Sequence, residues 1–306
     1  RALDAESLAG LIAWQRTHFL WSINAVGQYA AACLFGMVML TPRFWKAWAR
    51  RRGAWPLRTV WFALMSLVAG LVVLSLSRGV WLSLGMVAVC TLFYLAWAHR
   101  GNHAIGRRLL LVATVAVLMI SLTLSASDAV RSRVAIIVQP IVELWTLEGD
   151  VGRMSEESGR IRARLVMLGI DTWLSSPWLG AGPHAPKRII REHREEFRDW
   201  ETYSDFHNLV VDMLASYGVL GSLPLLLTFM LVLRAAHRGY RSGWLDRDLY
   251  LTLLGLLLLN ALAQLTDTRI LASHGRFYSM LFAGAAYSGW LAARLPGGAV
   301  NPSARR

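Results

Sequence analysis

With 306 residues, 55% of them hydrophobic, a mean hydropathy of +0.42 and a formal charge of +13, the chain has too few polar groups to clothe a soluble globule. The excess charge does not mark a nucleic-acid binder, because the arginines gather between apolar runs instead of forming a basic patch on polar structure. Cys33 and Cys90 both fall inside apolar runs, which argues against a disulfide framework or a metal cluster and makes them small core residues.

A helix that crosses the hydrocarbon needs about 20 predominantly apolar residues. Seven stretches approach that length: 18–40, 59–77, 80–98, 109–126, 208–234, 249–265 and 277–294. Neither an initiator Met nor a signal-peptide pattern precedes the first, so further helices are expected upstream. The second and third form one apolar run broken only by Ser77-Arg78-Gly79, too long for one crossing of a bilayer about 30 Å thick. A tight helical hairpin is predicted there. Glycines inside the spans (Gly27, Gly70, Gly85, Gly221, Gly284) are expected to let helices approach closely. Trp45, Trp61, Trp81, Trp97, Tyr203, Trp244, Tyr250 and Tyr278 lie near span ends, as an interfacial aromatic belt would.

Basic residues set the orientation, since Lys and Arg are retained in the cytoplasm. Segments 41–58, 100–108, 234–248 and 294–306 hold 16 of the 32 Lys and Arg residues against Asp246 and Asp248 alone, a net +14, while the rest of the chain nets −1. This puts the C-terminus in the cytoplasm and the 81-residue segment 126–206 outside. Three regions follow: spans and basic loops over 1–125, a helical outer loop over 126–206, and spans with a cytoplasmic C-terminus over 207–306.

The outer loop has helical periodicity of its own. Ile161, Leu165, Leu168 and Thr172 form one stripe between Ser158 and Ser175, and Pro177 ends that helix. Arg160 and Arg164 share a side near Asp171, whereas Arg162 points to another. The Trp178-Leu179-Gly180-Ala181-Gly182-Pro183 turn either admits a ligand to the backbone or is ordinary loop punctuation. A charged helix is predicted from Pro186 to Glu201, with i, i+4 pairs Arg188–Glu192 and Arg191–Glu195 and apolar members Ile190, Phe197 and Trp200.

Two residues could do chemistry at the membrane edge. Arg78, in the hairpin turn, either caps the turn among lipid headgroups or clamps a phosphate through its planar, permanently charged guanidinium. His207 opens the fifth span, as a helix anchor or as a general base near neutral pH. The remaining histidines have no metal-ligand spacing, and phosphate-loop, dinucleotide-binding and serine-elbow motifs are absent from the sequence. Asp212 is the acidic residue just inside the fifth span. A transporter for lipid-linked glycan would need charged or broken helices near midplane, and a scaffold would leave Arg78 and His207 unexplained.

Leu76-Ser77-Arg78-Gly79-Val80-Trp81-Leu82 resembles the Ser-Arg-Gly turn of the O-antigen ligase and polymerase superfamily. Ser158-Gly159-Arg160-Ile161-Arg162 with Pro177–Pro183, and His207-Asn208-Leu209 running to Tyr217-Gly218-Val219-Leu220-Gly221, are similar to that superfamily's later motifs. Asn24 and Gly27 extend the likeness into the first span, and the combination is closest to the O-antigen ligases. Ser216-Tyr217 stands where the family often has an acidic residue. The resemblance implies an all-α polytopic membrane protein of glycosyltransferase-C-like fold, with about seven transmembrane helices in this chain and a large periplasmic loop, in the bacterial inner membrane. It implies transfer of a glycan from undecaprenyl diphosphate to lipid A core without cofactor, metal or nucleic acid, with membrane lipids as surroundings. Alternatives within the superfamily are O-antigen polymerase and protein glycosyltransferase. By similarity the catalytic set is His207, Arg78 and either Arg160, which the Ser-Gly context selects, or Arg162, which the distance to Pro177 selects. Arg164, Asn208, Gly180, Gly182, Arg269 and Arg276 accompany them as substrate-binding residues.

Overall fold

The computed structural model describes residues 23–49, 53–75, 77–98, 157–197, 200–266, 268, 273–292 and 294. In chain order the helices are α1 (Ile23–Ala49), α2 (Trp55–Leu74), α3 (Arg78–Ala98), α4 (Glu157–Ser175), α5 (Ala185–Glu192), α6 (Leu209–Arg241), α7 (Arg247–Gln264) and α8 (Ser273–Ala292). Short 3-10 turns lie at Arg194–Glu196 and Trp200–Thr202, and no strand occurs among the described residues. Among the described residues four helical segments (Ala25–Ala49, Trp55–Leu74, Gly79–Trp97 and Leu209–Arg241) are long and apolar enough to cross a membrane, and the chain is a membrane protein whose described elements are all helical. They fall on the expected first, second, third and fifth spans. α7 and α8 stand where the sixth and seventh are expected, and 109–126 lies outside the described residues.

The chain forms two compact units, one of residues 1–84 with 223–306 and the other of residues 85–222. In the first, α1 packs on α2 and on α7, and α7 packs on α8. Two glycines make this closeness possible: a Cβ on Gly27 would meet the Ser75 side chain, and one on Gly255 would meet the Phe35 ring. Among the described residues the close approaches expected at Gly70, Gly85 and Gly284 do not occur, for none of those residues lies within 4 Å of the added Cβ, and Gly221 meets only Tyr217 one turn back in its own helix. Cys33 and Cys90 are likewise exposed on their helices, not in a core. The same physics corrects both expectations. Helices solvated by lipid can turn apolar and small residues outward at no cost, so apolarity alone does not mark a protein core.

The α2–α3 connection is tight. Ser75 Oγ and Trp81 Nε1 both donate to the Val72 carbonyl, at 2.7 and 2.9 Å, and the Trp81 amide donates to the Ser77 carbonyl at 3.1 Å. Trp81 thus closes the turn in addition to marking a span end. Tyr278 also departs from the expected belt: it is 2% exposed, edge-on to Tyr29 at 5.6 Å and to Phe282 at 4.5 Å. One aromatic gathering joins Phe44, Trp48 and Trp61, whose centroids lie 4.7–5.9 Å apart.

An amide network ties three helices together. Gln28 Nε2 donates to Asn260 Oδ1 at 3.2 Å, Gln264 Nε2 reaches the same oxygen at 3.5 Å, and Asn260 Nδ2 donates to Ser279 Oγ at 3.0 Å. Polar side chains between apolar helices act as glue, at about 1 kcal/mol each. Asn260→Leu keeps the volume but removes the bonds to Gln28 and Ser279, and it is expected to lower the melting temperature of the detergent-solubilised chain. An unchanged melting curve would remove the network from the account of stability. At one end of the same unit, Arg43 Nη1 pairs with Asp246 at 3.0 Å and Asp248 at 3.5 Å, so segments 41–58 and 234–248 meet.

In the second unit the predicted stripe of α4 is the core face: Leu165 and Leu168 are buried with Ile190, Phe197, Phe206 and Ala215, and Ile161 packs against them. The helix ends at Ser175, just before Pro177. The charged helix expected to Glu201 stops at Glu192. Beyond it Phe197 turns extended, at φ −125° and ψ 110°, and is buried, while Glu196 meets Arg164. Those tertiary contacts override the local helical preference. Arg188–Glu192 forms at 4.0 Å, but with the helix ended the Arg191–Glu195 pair does not.

Candidate active site

The loop after α4 approaches the backbone of α6. Gly218 has φ 60° and ψ −169°, a conformation open essentially to glycine alone, and it breaks the hydrogen-bond ladder of α6. The loop repairs that break. The Ala181 and Gly182 amides donate to the Ala215 and Ser216 carbonyls at 2.7 and 2.9 Å, and the Val219 and Leu220 amides donate to the Pro177 and Trp178 carbonyls at 2.9 and 3.2 Å. Gly180, at φ 72°, sits so close that a Cβ would lie 2.5 Å from Ser216 C and Tyr217 N. The glycine turn therefore does admit a backbone, and that backbone is α6. Gly182, at φ 94°, has open space around it.

Asp205 organises the entry to α6. One carboxylate oxygen, Oδ1, accepts the His207 amide at 2.9 Å and pairs with His207 Nδ1 at 3.2 Å, and Oδ2 accepts the Ser204 hydroxyl at 3.1 Å. This side-chain turn holds His207 at φ 56°, in the left-handed region that histidine adopts more readily than bulkier or branched residues. A carboxylate facing Nδ1 favours the tautomer with its hydrogen on that nitrogen. The Tyr203 ring stands edge-on to the imidazole at 5.9 Å, and both His207 and Asp205 are partly buried. Burial by itself pushes the Asp205 carboxyl up. The hydrogen bonds and charge of His207, helped by Ser204, outweigh that and hold it below the usual carboxylate value.

Asn208 caps α6: its Oδ1 accepts the Val210 and Val211 amides at 3.0 and 3.2 Å, as N-cap side chains do. Asp212, 3% exposed, accepts the Phe206 amide at 2.9 Å and so serves the same helix start. Phe206 is buried over Gly169, where a Cβ would lie 2.8 Å from its ring. Since Leu165 and Leu168 belong to the same core as Phe206, and Tyr203 and Val211 pack against it, the arginine-bearing helix and the histidine are parts of one packed unit.

The candidate arginines are distributed unequally. Arg164 is engaged with Glu196 through Nε and Nη2 at 2.7 and 2.6 Å. Arg160 and Arg162 are exposed, and among the described residues neither makes a hydrogen bond or ion pair. Arg160 continues the side of α4 that carries Arg164 and Asp171; Arg162 faces the other flank. Arg78 is the first residue of α3, and its side chain lies outside what is described. Gly79 beside it faces the Thr266 side chain. Arg276 is exposed on α8, and Arg269 lies outside the described residues. Asp205 was missed by sequence reasoning; the signal available was an Asp two residues before His207, the spacing of a side-chain turn.

A carboxylate-held imidazole thus stands at the start of a long apolar helix, on a unit that also bears exposed arginines. A family model described as O-antigen ligase matches residues 61–226, and the chain belongs to that family. Arg78, Arg160, Arg162, Arg164 and His207 fall inside the matched region, and Arg269 and Arg276 fall outside it. No curated protein matches the chain.

Proposed function

We propose that the chain transfers O-antigen glycan from undecaprenyl diphosphate to a sugar hydroxyl of lipid A core, at the periplasmic face of the bacterial inner membrane. The observation that carries this reading is the Asp205–His207 pair, 3.2 Å apart, because an imidazole with Nδ1 held by a carboxylate leaves Nε2 as a proton acceptor. The acceptor oxygen attacks the anomeric carbon and its proton passes to Nε2. The bond from that carbon to the diphosphate breaks, and the electron pair leaves with the lipid diphosphate. Arg78, with Arg160 or Arg162, stabilises the charge that grows there. One displacement inverts the anomeric centre, and a diphosphate leaving group requires no ATP. Asp205 positions His207 without touching the substrate.

The topology proposed is seven crossings with segment 126–206 outside and the C-terminus in the cytoplasm. The Arg43 contacts with Asp246 and Asp248 support it, because they join two segments that the charge asymmetry assigns to the same side. Transport is the reading from another class, and the break at Gly218 is the kind of feature it needs. The loop engages four backbone groups around the break, however, and Asp212 accepts the Phe206 amide, so these groups are already taken up within the chain and not held open for a cargo.

The test is a reconstituted assay with lipid-linked O-antigen and three competing acceptors: lipid A core, growing glycan and a protein. Arg78→Ala is expected to cost about 10²–10³ in rate, as loss of one charge-stabilising group does, with lipid A core the preferred acceptor. Full activity of Arg78→Ala would remove that arginine from the mechanism. Preference for growing glycan would make the chain a polymerase.

A further inference from the structure

Between α4 and α5 lies a groove of about 470 Å³, within the range of about 300–1,000 Å³ usual for small-molecule sites. Its walls bear two guanidiniums, Arg164 and Arg188, and two carboxylates, Asp171 and Glu192. Neither guanidinium is a spare positive charge. Arg164 is paired with Glu196, and Arg188 donates to the Ala181 carbonyl at 2.9 Å and lies 4.0 Å from Glu192. An anion entering here would meet two carboxylates and no excess of cation, so the groove is poorly suited to a diphosphate.

It is well suited to a neutral polyol. Each sugar hydroxyl donates one hydrogen bond and accepts others, and the groove has both kinds of partner in alternation. His193 adds an acceptor when its ring is neutral: its Nδ1 meets the Ile189 carbonyl at 2.9 Å, which only an N–H can do, so in the neutral imidazole the lone pair is on Nε2. The carboxylate of Asp171 makes no hydrogen bond or ion pair among the described residues. Leu168 and Ile189 supply apolar wall for the C–H face of a pyranose ring.

We propose that this groove is a saccharide subsite that holds neutral sugar residues of the glycan, distinct from the arginines that would hold the diphosphate. The proposal deepens the glycosyl-transfer reading and rests on it. The α5 side of the groove is fastened to the loop that repairs α6, through the Arg188 contact with Ala181, so sugar recognition is built onto the backbone joint with the helix that begins just after His207.

The test measures binding to the full chain in lipid nanodiscs by calorimetry, with two probes: diphosphate-free O-antigen released by mild acid, and inorganic pyrophosphate. Asp171→Ala/Glu192→Ala removes two exposed acceptors from helix surfaces and is expected to weaken glycan binding about tenfold or more. Pyrophosphate binding should be unchanged. Glu195→Ala, outside the groove, serves as the control for altered surface charge, and far-UV circular dichroism checks folding. Unchanged glycan affinity in the double variant overturns the proposal, as does pyrophosphate binding that depends on Arg188 while glycan binding does not. His207→Ala separates the two readings. Loss of transfer with glycan binding intact supports both, whereas full transfer in His207→Ala with glycan binding still dependent on Asp171 and Glu192 removes the catalytic reading and leaves the subsite standing.

Discussion

Replacing His207 with asparagine is expected to lower the rate of glycan transfer by about 10²–10⁴-fold, the usual contribution of a positioned general base. Asparagine is the informative substitution because it tolerates the left-handed conformation that His207 adopts at φ 56° and so keeps the start of α6 intact. It cannot accept the acceptor's proton. Asp205→Asn should produce a smaller loss, since an amide can still hold the His207 backbone but can also face Nδ1 with a donor and release the tautomer. If Asp205 acts only on structure, Asp205→Glu and Asp205→Asn should lose activity together with stability. If it positions the ring, kcat falls while the KM for lipid-linked glycan stays put.

The pH dependence has a defined sign. Asp205 is held below the ordinary carboxylate value, so the stabilisation from its contacts with His207 and Ser204 is complete above that ordinary value, about 4. It is lost only as pH falls through the depressed pKa. Loss of transfer on mild acidification with the fold intact would therefore report something other than Asp205. Wild-type turnover in His207→Asn would leave the proposed reaction without its base.

What was legible in the sequence was what local periodicity encodes. The stripe Ile161, Leu165, Leu168 and Thr172 needs only the 3.6-residue period, and it is the face that packs. A break in the apolar run follows from its being too long for one crossing, but the break falls before Arg78 and not across it: Arg78 and Gly79 open α3. The limits of α5 were not legible, because Phe197 and Glu196 leave the helix for partners on α4, and such partners are distant in sequence. Burial of Tyr278 and exposure of Cys33 failed for a related reason: in lipid, an apolar residue has no composition that distinguishes the protein-facing side from the other.

The candidate site was half legible. Histidine at the start of α6 and arginines on α4 could be read from position and charge, but the conformation of His207 could not. It depends on Asp205 bonding both the backbone and the ring of a residue two places on. Asn208 has a structural duty that its place beside a reactive residue does not announce: its Oδ1 is committed to the Val210 and Val211 amides. The glycines after α4 were noticed as permission for a close approach, yet the sequence holds no local sign of which backbone comes near.

That backbone joint is where the largest effect on folding is expected. Gly218→Ala places a Cβ against the Trp178 carbonyl group and the Leu179 amide nitrogen, in a conformation that alanine avoids. The conformational cost is about 1–3 kcal/mol, and the crowding of rigid backbone adds about 1–3 kcal/mol. Both are relieved only if the loop leaves α6, which strands the Ala215 and Ser216 carbonyls and the Val219 and Leu220 amides. Inside an apolar surround, unmade backbone hydrogen bonds are costly, so the joint should fail as a unit and not one bond at a time. Gly180→Ala should act alike, since its Cβ meets Ser216 and Tyr217 backbone. Gly182→Ala should be milder: its φ of 94° is unfavourable, but there is open space for the methyl. Hydrogen exchange on the chain in nanodiscs reads this directly. Amides 181, 182, 219 and 220 should lose protection together in Gly218→Ala and Gly180→Ala and keep most of it in Gly182→Ala. Equal protection in all three would mean that the loop does not carry the broken ladder of α6.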